Sequence, residues 1–120
     1  MKVCVTSLGQ NLSDSVDPKF GRCAYFIIVD TDSMKFESFE NTAGLASGGA
    51  GISAAKLVVD HGVSAVLTGN VGPNAHRALS AAGIKIATGF KGSVGEAVES
   101  FKKGDVSFSD SATAAEHSGM

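Results

Sequence analysis

Residues 41–62, NTAGLASGGAGISAAKLVVDHG, divide the chain into two halves of different hydrophobic rhythm, and that division restricts the folds open to it. Before them, apolar residues come in short alternating or continuous runs; after them, such runs alternate with stretches of helical spacing. The segment opens with Ala43, Gly44, Ala46, Ser47, Gly48, Gly49, Ala50 and Gly51, which are too small to fill a core. Glycine loses more backbone entropy on folding than any other residue, so the cluster implies sharp turning or close approach of backbone N–H groups to something bound. A helix follows, with Ile52, Ala55, Val58 and Val59 as its expected apolar stripe and His61 and Gly62 as its end. A glycine-rich lead into a helix N-terminus suits an anion, which makes Gly49 and Gly51 candidate binding residues.

The remaining elements follow from spacing. Residues 3–6 read as a short strand, 25–30 (YFIIVD) as a buried one and 36–40 as a more exposed one, together an antiparallel meander. Residues 65–68 form a further strand. Pro73 then opens a helix with a stripe of Ala75, Ala78, Leu79 and Ala82, closed by Gly83. Residues 84–87 are the fifth strand. Ser93 and Glu96 form a capping box before Val94, Ala97, Val98 and Phe101, and Gly104 ends that last helix. Three strands followed by strict alternation predict an α/β fold: a five-stranded mixed sheet, order 3-2-1-4-5, with the second strand antiparallel and three helices. Residues 1–105 make a single domain, and residues 106–120 a flexible polar tail. Loops 7–23 and 41–51 are expected to be more mobile than the strands.

In that topology the loops after strands one, three, four and five share one edge of the sheet, where ligands of open α/β sheets bind. The long loop 7–23, the glycine stretch, residues 69–72 with Asn70, and residues 89–92 would form one rim.

A net charge of −2 at pH 7 gives no footprint for nucleic acid, and no apolar run is long enough to span a membrane. The chain enters its first strand directly, without a signal-peptide pattern, and Cys4 and Cys23 form no CxxC pair. A cytoplasmic domain is the expectation, and a monomer is compatible with everything in the sequence. Two-metal hydrolysis needs carboxylates at strand ends, and residues 3–7 and 65–70 have none. Asp14, Asp17, Asp30 and Asp32 read as turn residues. Residues 49–54 fit a loose GxGxxA, but no acid follows the next strand and no P-loop occurs, so no nucleotide is expected. His61 sits in a helix's last turn, where a cation is favoured; His76 lies off its helix's apolar stripe, near enough to the rim to be a candidate; and His117 is a lone tail histidine, rarely enough to hold a metal. Cys4, mid-strand, acts as a small apolar residue. Cys23 ends the long loop beside Lys19 and Arg22, where neighbouring positive charge favours the metal-binding thiolate.

Asp17-Pro18-Lys19-Phe20-Gly21-Arg22-Cys23, with Gly48-Gly49-Ala50-Gly51 and Gly72-Pro73-Asn74-Ala75 opening helices, resembles the family of nitrogenase iron–molybdenum cofactor biosynthesis proteins over residues 1–105. The resemblance implies a ribonuclease-H-like fold and a small non-enzymatic carrier of an iron–sulfur or iron–molybdenum type cluster. It also implies metal–sulfur cluster donor and acceptor proteins as partners. Nitrogenase-associated members place a histidine just before the Phe-Gly pair, where this chain has Lys19. The leading expectation is an anionic metal–sulfur cluster held by Lys19, Phe20, Gly21, Arg22, Gly49, Gly51 and Asn70, with Cys23 as metal ligand. The alternatives are a module for a phosphorylated small molecule on the same rim, or an adaptor without a ligand.

Overall fold

The computed structural model describes residues 1–42, 49–106 and 108. The element order is β1 (Lys2–Ser7), β2 (Tyr25–Asp30), β3 (Phe36–Glu40), α1 (Ala50–Asp60), β4 (Ala65–Leu67), α2 (Pro73–Ala81), β5 (Lys85–Ala87) and α3 (Val94–Lys102). The strands form one sheet of order β3-β2-β1-β4-β5. Strand β2 runs antiparallel to β1 and β3, and β4 and β5 run parallel to β1, as the spacing predicts.

Side chains alternate across a strand, so each strand feeds two cores. Cys4, Phe26, Ile28, Val66 and Ile86 pack on one face against Ala54, Ala55 and Val58 of α1 and Ala75 and Leu79 of α2. Val3, Val5, Ile27, Val29, Leu67 and Ala87 pack on the other against Val94, Ala97 and Val98 of α3. Register puts Cys4 between Ile28 and Val66, both buried, so the centre of β1 is enclosed on every side.

Helix α1 departs from the expected stripe. Ala54, Ala55 and Val58 are buried, whereas Ile52 is 51% and Val59 36% exposed. At about 100° per residue, Ile52 lies about 200° round the helix from Ala54. The inward face is therefore the one with the smallest side chains. Gly51 explains why: a Cβ there would stand 3.3 Å from Ala75 Cβ and 3.7 Å from Ala75 N, so α1 lies against the start of α2. The helices end as their glycines require, with Gly62, Gly83 and Gly104 all at positive φ.

The expected tail lies, apart from Val106 and Phe108, outside the described residues. Phe108 bridges Ala87 on the outer edge of β5, meets the Phe101 ring edge-on at 6.4 Å and lies 5.1 Å beneath Lys85 Nζ. No helix among the described residues is long and apolar enough to cross a membrane.

At the start of α3 the Ser93 hydroxyl accepts from the Glu96 N–H at 3.1 Å, while the Glu96 carboxylate accepts from the Ser93 N–H at 3.0 Å. Ser93→Ala leaves an orphaned donor and lowers stability by about 1 kcal/mol. Urea denaturation checks this: the midpoint falls and the slope stays unchanged.

Candidate functional site

The C-terminal ends of β1 and β4 lie side by side, and loop 17–23 crosses over them. Thr6 and Thr68, the buried polar residues at those ends, share a hydrogen bond of 2.8 Å, and Thr6 Oγ1 also donates to the Asp17 carbonyl at 2.7 Å. The Asn70 amide donates to the Pro18 carbonyl at 2.8 Å. Here the chains touch through backbone. A Cβ on Gly69 would come within 2.6 Å of Pro18 Cα, and one on Gly21 within 3.0 Å of Gly51 Cα and 3.1 Å of Gly51 N. The loop is thus seated between the β4–α2 connection and the first turn of α1.

Two buried side chains close the loop. The Asp17 carboxylate accepts from the Lys19 and Ala24 amides, each at 3.1 Å. Asn41 donates through Nδ2 to the carbonyls of Gly21 (3.1 Å) and Cys23 (3.0 Å), and lies 3.6 Å from Cys23 Sγ. Asp17 acts as the turn residue its sequence context indicates and also as an anchor. Asn41 is not signalled by the sequence except as a hydrogen-bonding residue at a strand end.

This arrangement sorts the expected site residues. Lys19 and Arg22 are exposed, and neither forms an ion pair among the described residues. Asn70 is half-buried and contributes its backbone. Gly49, at φ 63, precedes the first turn of α1 and is exposed. The Phe20 ring is buried, 5.8 Å from that of Phe26, and anchors the loop in the core. Gly21 is required by its approach to the Gly51 backbone, a Cβ on Gly51 would press on Ala75, and only the half-buried Gly51 adds a first-turn amide at the rim.

Cys23 lies in a different setting from the one its neighbours in sequence suggest. The sequence places it beside two cations, which would favour the thiolate. In the folded chain it is 4% exposed within the α1–α2 core. Burial pushes its pKa far up and the Asp17 charge pushes it further, while the Asn41 contact opposes them only in part. Desolvation outweighs solvated cations because a thiolate stripped of water needs a close partner. Cys4 is pushed up too, first by burial and then by Cys23. Among the described residues no group of three or more His, Cys, Asp or Glu side chains converges as a metal cage.

What the rim offers instead is helix ends. Each helix begins with N–H groups that have no partner inside it, and these carry partial positive charge. Helix α3 spends its own internally: beyond the capping box, Val94 N–H donates to the Asp14 carbonyl (2.9 Å) and Gly95 N–H to the Leu12 carbonyl (2.8 Å). Loop 7–23, expected to be loose, is pinned by these bonds and by Val16 N–H to the Gly92 carbonyl at 2.8 Å. Helices α1 and α2 have no side-chain cap and no acid in the first turn. Their starts adjoin at Gly51 and Ala75, next to the loop that bears Lys19 and Arg22. His76, in α2, shares a 3.4 Å contact with Ser80. A cleft of about 590 Å³ lies at the opposite edge of the sheet, lined by Val63, Ala65, Phe101, Val106 and Phe108 with Lys85 as its side-chain charge.

The dinitrogenase iron-molybdenum cofactor family matches residues 1–104, and the chain belongs to that family. The apo form of the orange protein from Desulfovibrio gigas is 39% identical, with a TM-score of 0.91 over 93% of this chain and 95% of that one. A NifB-like protein from Thermotoga is 37% identical, with a TM-score of 0.77 over 89% and 91%. An uncharacterized protein of Methanocaldococcus jannaschii is 32% identical over 77% of this chain and 80% of its own length. The sheet order and the three helices are those of this family of small, cofactor-related proteins.

Gly21→Ala places a methyl against backbone and lowers stability by about 1–3 kcal/mol, since backbone cannot yield as a side chain can. Gly72→Ala, with nothing within 4 Å of its Cβ, stays within about 0.5 kcal/mol of wild type. Thermal denaturation of both variants checks the contrast. The buried thiols set a pH dependence. Both hold their protons above the ordinary thiol range in the folded state, whereas the unfolded chain releases them near pH 8.5. Their contribution is fully present below that pH and declines as pH rises through it, by up to about 1.4 kcal/mol per unit per cysteine. Denaturation between pH 7 and 10 measures the slope, which is shallower in Cys23→Ser.

Proposed function

We propose, from membership of this family, that the chain is a non-enzymatic carrier of an anionic metal–sulfur cluster, of iron–sulfur or mixed iron, molybdenum or copper type. The observation that supports this reading is the convergence of two helix N-termini without a side-chain cap beside a loop whose two cations form no ion pair among the described residues, while α3 is capped from within. Such an arrangement favours negative charge without selecting a coordination geometry. In this reading Lys19, Arg22 and the first-turn amides of α1 and α2 hold the cargo. Gly49 and Asn70 shape the backbone beneath it, and Phe20 and Gly21 keep the loop in place. Cys23 coordinates only after the Asn41 contact opens, because its sulfur lies behind that amide. The cargo is exchanged with cluster donor and acceptor proteins.

The relatives support the theme through the cofactor and NifB descriptions they carry. Lys19, in place of a histidine, supplies charge where an imidazole would supply a ligand, consistent with holding by electrostatics.

Anaerobic purification followed by visible spectroscopy and elemental analysis tests the reading, with tetrathiomolybdate as a defined anionic metal–sulfide probe. Retention per chain after desalting falls at least tenfold in Lys19→Ala/Arg22→Ala and falls with added salt, because exposed charges are screened. Retention persists in Cys23→Ser. Loss in Cys23→Ser alone makes sulfur the ligand and rejects the charge-held mode. A colourless, metal-free protein stabilised by phosphate compounds rejects the cluster reading in favour of a phosphorylated ligand.

A further inference from the structure

We infer that Asn41 is the positioning residue of the rim: its side-chain amide clamps loop 18–23 so that Lys19 and Arg22 stand outside while Cys23 is kept inside. Its consequence for cargo rests on the reading above; the clamp itself rests on geometry alone.

The loop alternates sharply. Lys19 and Arg22 are exposed, while Phe20, Gly21 and Cys23 are buried. A five-residue stretch outside regular structure has no ladder to enforce that pattern, so individual bonds must. At the entry they come from Asp17, which is itself fixed to β1 by a pair of bonds with Thr6: Asp17 N–H to the Thr6 carbonyl at 2.9 Å and Thr6 Oγ1 to the Asp17 carbonyl at 2.7 Å. At the exit they come from Asn41. Its backbone N–H donates to the Ala24 carbonyl at 3.0 Å, extending the β2–β3 pairing by a step. Its side-chain NH₂ has two hydrogens and three acceptors in reach: the Gly21 carbonyl, the Cys23 carbonyl and, at 3.6 Å, the Cys23 sulfur.

Only a short donor fits this place. Alanine leaves two inward-facing carbonyls without their partner, and aspartate turns an acceptor towards two acceptors. Asn41 is 7% exposed, so water does not readily substitute. The residue also stands at the end of β3, where the chain sets out towards the α1 N-terminus. One side chain therefore ties together the cation-bearing loop, the thiol and the strand that leads to the helix end. The outcome of the clamp is chemical. With it in place, an anion at the rim meets an ammonium, a guanidinium and amides; without it, the loop can turn and present sulfur.

The test uses the full-length chain and its two buried cysteines as each other's control. Wild type, Asn41→Ala and Asn41→Ser are pulsed with iodoacetamide at pH 8, and alkylation of Cys4 and Cys23 is read separately by peptide mass spectrometry. Circular dichroism melts establish that each variant is folded. The inference expects Cys23 in Asn41→Ala to react at least tenfold faster than in wild type with Cys4 unchanged, since global opening would accelerate both together. It also expects tetrathiomolybdate retention to fall in the same variant, with a weaker dependence on salt. Equal acceleration of Cys4 and Cys23, or no acceleration of either, overturns it. Should Asn41→Ala fail to fold, Asn41→Ser, whose shorter hydroxyl has one hydrogen for the two carbonyls, decides by the same ratio of rates. Wild-type protein that retains no tetrathiomolybdate rejects the anion rim, and the alkylation ratio still decides the role of Asn41.

Discussion

Backbone lies on backbone where the rim is built, and the placement of the candidate site depends on that contact. The loop from Asp17 to Cys23 reaches the first turn of α1 only because Gly21 lacks a Cβ, and it reaches the β4–α2 connection only because Gly69 does. A single methyl at Gly21 would stand 3.0 Å from Gly51 Cα, too close for backbone to accommodate without moving the helix. The same constraint reappears one layer on, where Gly51 meets Ala75 and brings the starts of α1 and α2 together. The cost is the entropy of ordering flexible residues. It is offset by cores on both sides of the sheet and by buried polar groups that all find partners: no buried side-chain nitrogen or oxygen among the described residues is unsatisfied.

Close packing of helix starts concentrates partial positive charge, and the three helices treat it differently. Helix α3 neutralises its end with the Ser93–Glu96 box and with carbonyls borrowed from Leu12 and Asp14. That use also explains why the long loop after β1 is ordered: its carbonyls are the cap. Helices α1 and α2 place glycine at the N-cap, Gly49 and Gly72, with no side chain to fold back on the amides. The division of labour follows from where each helix packs. The start of α3 meets the first part of the loop, while α1 and α2 meet its second part, where Lys19 and Arg22 stand exposed.

The sequence was legible wherever one residue's type determined local structure. Strand runs such as residues 25–30, the proline opening α2, the capping pair at α3 and the closing glycines at 62, 83 and 104 all led to elements the structure contains, and their order led to the sheet topology. The rim was legible as a place, because topology alone brings those loops to one edge. What misled was local charge and size. Cys23 follows Arg22 directly and stands four residues after Lys19, yet it turns inward, since exposure is decided by Phe20 and Gly21 between them. Ile52 looks like a core residue by spacing and is half exposed, because the tight α1–α2 contact selects the alanine face. Asn41 gave no sign of its importance: what matters is two carbonyls 18 and 20 residues away in the chain, and no short pattern encodes them.

Charge and sulfur make different kinds of binding site, and the loop decides between them by which side chains it turns outward. A thiolate bond to a metal is directional and slow to break, and it demands that the thiol lose a proton. In this fold the proton is held tightly, because Cys23 has exchanged water for a hydrophobic core and lies near the Asp17 carboxylate. Backbone amides and long cationic side chains make weaker, less directional contacts that salt screens and that release a ligand without bond cleavage. A rim built from helix ends therefore favours a ligand that can be released over one that is fixed, which is what the proposed carrier role requires. The pairing of β2 with β3, carried one step on by the Asn41 N–H bond to the Ala24 carbonyl, is what brings Asn41 within reach of Cys23, so sheet register sets which groups the loop turns inward.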